Sequence, residues 1–170
     1  MRNASWIIAA ALVVSACSSL SSVVRREPVP TGAQVAVIPF RDCLIADQED
    51  CSGSGNKAGN AFAGALGQRY KVVLLSRPVS PTERLADADA IALARQRGAM
   101  YVVNGEVEEY YDVASFTFRA DRAGVSVRVL RIDGGSVSAS YSQTMKASNN
   151  LGSPDDILRS MAEHVRDALK

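Results

Sequence analysis

AQVAVIPF, residues 33–40, is β-rich and apolar on both faces, as a strand in the middle of a sheet should be. A polar stretch and a Ser52-Gly53-Ser54-Gly55 break follow, with Ser54 placed to cap a helix. Residues 56–70, NKAGNAFAGALGQRY, then put Ala58, Ala61, Phe62, Ala65 and Leu66 on one helical face. KVVLLS (71–76) reads as a second buried strand. Strand, helix and strand at this spacing make a right-handed βαβ unit, so the chain belongs to the α/β class.

The pattern continues outward from that unit. Pro78 and Pro81 stop the second strand, and Thr82–Arg97 reads as a helix with Leu85, Ile91, Ala92 and Ala94 among its apolar positions. Gly98 ends it. Tyr101–Asp112 is a long third strand, Gly124–Asp133 a fourth and Ser136–Lys146 a fifth, with Gly134-Gly135 as the hairpin turn between the last two. Ser153 caps a last helix, Pro154 takes its first position, and Asp155 and Asp156 favour its positive end. Its core face is Ile157, Leu158, Met161, Val165 and Leu169. The expected fold is one domain with a mixed five-stranded sheet and three helices, in the order β-α-β-α-β-β-β-α.

The N-terminus has a different character. Arg2 precedes an unbroken apolar run, Trp6–Val14. Nine helical residues span about 14 Å, roughly half of a ~30 Å hydrocarbon core, so the run suits the h-region of a signal peptide. It ends in Val14-Ser15-Ala16-Cys17. VSAC resembles the lipobox of bacterial lipoproteins. That resemblance implies cleavage before Cys17, a diacylglyceryl thioether on its sulfur, and a further acyl chain such as palmitate on its new amine. Two or more chains anchor a domain stably. Ser18 in place of Asp resembles the class sorted to the outer membrane. The expected layout is a signal peptide at 1–16, a lipidated N-terminus and tether at 17–32, and a periplasmic domain at 33–170. The tether, Ser18–Gly32, reaches at most about 50 Å when extended.

Three cysteines are an odd number for a secreted chain. With lipid on Cys17, Cys43 and Cys51 remain on either side of a short polar loop, and an oxidising periplasm favours a disulfide between them. Closing so short a loop contributes roughly 2–3 kcal/mol. Free thiols are one alternative. A metal site using Asp42, Asp47, Glu49 or Asp50 is another, but the one histidine, His164, is far off in sequence and reads as a surface residue.

Composition and motifs exclude more than they identify. Without Arg2 the chain has 18 basic and 18 acidic residues, so it lacks the basic excess of a nucleic-acid binder. Gly53, Gly55 and Gly59 follow a strand and open a helix, yet no GK[ST] follows, and capping and close packing account for them. Glu106, Glu108, Glu109 and Asp112 read as a solvated strand face, and no GxSxG elbow occurs. No cofactor, metal or catalytic residue is expected.

VAVIPF, the Gly/Ala-rich helix, KVVLLSR, ALARQRGAMYVVNGEV, VSVRVLRIDGGSV and SPDDILRSMAEHVRDAL together resemble small proteobacterial outer-membrane lipoproteins of unknown function. More distantly they resemble the periplasmic domain of the penicillin-binding-protein activator lipoprotein B, the curli secretion lipoprotein and the N-terminal domain of TolB. The resemblance implies a non-enzymatic domain that docks on another envelope protein. A periplasmic domain binding a small ligand or wall fragment is the alternative. Alternation along the last three strands sets Asn104, Glu106, Glu108, Tyr110, Ser126 and Arg128 on a wet face. Tyr110, Arg128 and Glu108 are the expected docking residues there, since Tyr and Arg are enriched at hot spots. Phe116 or Phe118 would be an anchor on the adjoining rim, Asp112–Arg122.

Overall fold

The computed structural model describes residues 22–45, 51–112, 120–147 and 152–170. Its elements are β1 (Ser22–Arg25), β2 (Gln34–Val37), α1 (Ser54–Gly67), β3 (Lys71–Leu74), α2 (Asp87–Arg95), β4 (Tyr101–Tyr111), β5 (Arg122–Arg131), β6 (Val137–Lys146) and α3 (Pro154–Ala168). One mixed sheet runs in the order β1-β6-β5-β4-β2-β3. β2 pairs in parallel with β3 and β4, and β4, β5, β6 and β1 pair antiparallel.

The α/β class and its three helices are as expected; the sheet has six strands where five were expected. The sixth is β1, inside the stretch read as tether. Ser22–Arg25 pairs with Ser142–Ala139 of β6. Beyond it, the amides of Arg26 and Glu27 donate to the Ser138 carbonyl and the Val29 amide donates to Leu169. Val29 is buried in the core. β3 is a second correction: it is an edge strand, and Leu74 is 49% exposed.

Two apolar clusters lie on opposite faces of the sheet. Val35 and Val37 of β2 face α1 and α3, together with Val103, Val107, Val125, Val127 and Val129. Ala36 and Ile38 face α2, together with Val102 and Leu130. α2 starts later than expected: Leu85 is buried ahead of it, and Ala90 and Ala94 make its buried stripe while Ala92 is exposed. α3 follows its sequence closely. The Ser153 hydroxyl accepts from the Asp156 amide, the Asp156 carboxylate accepts from the Ser153 amide, and Pro154 opens the helix.

Coverage is unequal. α1 and α3 cover one face of the meander, but α2 reaches only β4 and β5 on the other. Among the described residues, Glu106 of β4, Ser126 and Arg128 of β5, and Ser140 and Ser142 of β6 are left on an open face.

Candidate functional site

Of the expected docking residues, Arg128 lies on the open face, while Glu108 and Tyr110 fall at a break in the β4 register. β4 carries a β-bulge: Val107 pairs with Val125 and Glu109 with Gly124, so Glu108 is the extra residue. The bulge turns every later side chain to the opposite face. Tyr110 is therefore on the core side, 1% exposed, and not on the docking face where plain alternation puts it. Its hydroxyl accepts from Lys57 Nζ at 2.7 Å and donates to Asp155 Oδ1 at 2.8 Å. The Lys57 ammonium also sits 4.6 Å from the ring centroid. Tyr110 thus ties β4 to α1 and α3. A second bulge, at Ser138, moves Val137 to the α2 side, away from Ala139 and Tyr141.

Glu108 and Arg128 do remain exposed or half-exposed. Burial, then Glu106 and Glu109, hold the Glu108 carboxyl above its ordinary range. Arg128 pairs with Asp87 of α2 at 3.1 Å. Phe116, Phe118, Asp47, Glu49, Asp50 and Cys17 lie outside the described residues.

Cys43 and Cys51 are joined by a disulfide, with their Cα atoms 5.0 Å apart. Next to it, Asp42 does what the sequence assigned to Ser54. The helix N-cap is Gly53, with φ near 79°, where a side chain is strained. Asp42 Oδ2 accepts from the Gly53 amide at 2.8 Å and Oδ1 from the Gly55 amide at 2.7 Å. Ser54 instead turns inward, and its hydroxyl accepts from the Cys43 amide at 3.2 Å. A helix N-terminus after a strand attracts anions, and here the chain's own carboxylate takes that place. A phosphate at this loop would have to displace Asp42 from both amides. Among the described residues, no group of three or more His, Cys, Asp or Glu could hold a metal ion. His164 is exposed, with its ring 5.9 Å from that of Tyr141.

What the sequence did not disclose is a groove across the open face. Arg41, Arg77, Arg84, Asn104, Glu106, Ser126, Arg128, Ser140 and Ser142 line it. Arg41 pairs with Glu106 at 2.5 Å. Arg77 donates to the carbonyls of Pro39, Ser80 and Glu83, and burial pushes its guanidinium below the ordinary value. Asn104 Nδ2 donates to the Leu85 carbonyl and to Asp87 Oδ1, holding the α2 entry loop against β4. Such a constellation can bind charge.

No family model and no curated protein matches the chain. Several solved structures are similar to it. PelC from Paraburkholderia phytofirmans, solved as a dodecamer, has a TM-score of 0.64 and 21% identity over 88% of this chain and 97% of that one. A lipoprotein from Neisseria meningitidis gives 0.47 and 19%, over 81% and 97%. The LpoB C-terminal domain from Salmonella enterica gives 0.40 and 16%, over 70% and 86%. The chain has the α/β architecture of PelC, and the structures similar to it include lipoproteins.

Proposed function

We propose that this chain is a lipid-anchored, periplasm-facing protein of the outer membrane whose domain binds or scaffolds another envelope component without catalysis. The supporting observation is the half-open sheet. Among the described residues, one face of β5 and β6 is largely left uncovered, and β1 and β3 are edge strands with Val24 and Leu74 each 49% exposed. Unpaired edges and open faces are where further chains add. The PelC dodecamer favours a second reading in which the component bound is another copy of this chain.

One experiment tests both readings. A photo-crosslinking residue is placed at Arg128 on the open face, at Leu74 on the edge, and at Asn60 on exposed α1 surface. Adducts from the first two positions and not from Asn60 are expected, and an adduct of doubled mass marks self-assembly. Equal yields from all three positions would overturn the proposal.

The anchor is tested separately. Among the described residues no helix is long and apolar enough to cross a membrane. Cys17→Ala is expected to abolish fatty-acid labelling and release the chain from the outer-membrane fraction. A mutant that still fractionates with membrane after a carbonate wash would contradict lipid anchoring at Cys17.

A further inference from the structure

The groove on the open face has a chemistry more specific than docking requires. Four guanidinium groups, Arg41, Arg77, Arg84 and Arg128, stand around a row of hydroxyls, Ser126, Ser140 and Ser142. The cavity is about 200 Å³. In a chain of formal net charge +1, four arginines lining one groove with a single carboxylate, Glu106, make a local excess of positive charge. Glu106 compensates Arg41, and Asp87 compensates Arg128. Arg77 donates its hydrogen bonds to backbone carbonyls and forms no direct ion pair among the described residues, with Asp42 and Glu83 as the nearest opposing charges. Arg84 is exposed and makes no hydrogen bond or ion pair among the described residues. The Arg41 Nε is buried and has no hydrogen-bond partner among them.

We propose that this groove binds an acidic sugar unit, with its carboxylate or phosphate on the arginines and its hydroxyls on the serine row. The inference rests on the open face being the working surface and names the chemistry of what that surface meets. Guanidinium groups match carboxylate and phosphate oxygens in a fork geometry that a neutral ligand does not use. The hydroxyls of Ser126, Ser140 and Ser142 can each donate and accept, which suits a polyol. The apolar members of the lining, Leu85, Val127 and Tyr141, are all buried. The groove therefore exposes no large apolar side chain on which an acyl chain could lie, and a lipid is the poorer fit. Pockets for drug-sized ligands run roughly 300–1,000 Å³, so this one suits a single ring of an open-ended chain.

The test is equilibrium dialysis of radiolabelled galacturonate and glucose 6-phosphate against the full mature chain in detergent micelles. Galactose and inorganic phosphate are the comparison probes. Saturable binding of at least one acidic sugar is expected, with no binding of galactose. Whichever acidic sugar binds decides between carboxylate and phosphate. Arg84→Gln should weaken that binding about tenfold or more, the loss expected for one charge-assisted contact, at unchanged melting temperature. Ser142→Val, on an exposed strand position, should weaken it as well. Failure of both acidic sugars to bind overturns the inference, as does an Arg84→Gln chain that binds like wild type. Inorganic phosphate binding as tightly as the sugar overturns the sugar assignment. Crosslinks from position 128 that persist when no sugar binds would leave the docking proposal standing and remove only this inference.

Discussion

Tyr110→Ala is expected to destabilise the domain by about 3–5 kcal/mol, the range for losing a large aromatic from a core. At roughly 2–4 °C per kcal/mol for a domain of this size, the melting temperature should fall by about 6–20 °C. The ring is 1% exposed and its hydroxyl bonds both Lys57 and Asp155. Alanine removes the apolar fill and leaves Lys57 and Asp155 without their shared partner. Tyr110→Phe separates the two contributions. It keeps the ring and loses only the hydroxyl, so about 1–2 kcal/mol should go. Urea unfolding of wild type and both variants measures this. A Tyr110→Ala chain as stable as wild type would return Tyr110 to the wet face and remove the bulge at Glu108.

That bulge shows where sequence reasoning stops. Alternation in β4, β5 and β6 located all three strands to within a residue or two at each end, because one buried face imposes a period of two. The same rule is blind to a single inserted residue, so it placed Tyr110 on the wrong face. The α3 capping box was legible because Ser153 and Asp156 act over three residues. The α1 cap was not, because Asp42 reaches Gly53 and Gly55 across the disulfide loop. β1 escaped for a related reason. SVVR among serines, arginines and prolines reads as tether, and only pairing with residues 139–142 makes it a strand. The groove's arginines come from a loop after β2, the stretch between β3 and α2, and β5, and no local pattern joins them.

Gly55→Ala is expected to be the most damaging single methyl group that can be added to α1. A Cβ at Gly55 would lie 2.0 Å from the Phe40 carbonyl oxygen and 2.8 Å from Asp42 Oδ1. The first contact is with backbone, which cannot swing aside as a side-chain tip can. The start of the helix must therefore move away from the end of β2. That movement would stretch the bond from the Phe40 amide to the Gly55 carbonyl, now 3.0 Å. It would also draw the Gly55 amide off Asp42, leaving a buried carboxylate with half its partners. Overpacking alone costs typically 1–3 kcal/mol, and losing a hydrogen bond to a charged group adds roughly 1.5–3. A loss of roughly 2.5–6 kcal/mol follows, a large share of the about 5–15 kcal/mol that domains have in hand. Gly64→Ala is the control. It sits on the same helix, is exposed, and its Cβ would meet nothing within 4 Å. There alanine's better helix propensity should stabilise by roughly 0.5–1 kcal/mol. The two substitutions should therefore move the urea midpoint in opposite directions. A Gly55→Ala chain that unfolds at or above the wild-type midpoint would mean that α1 does not start against the end of β2 and that Asp42 does not cap it.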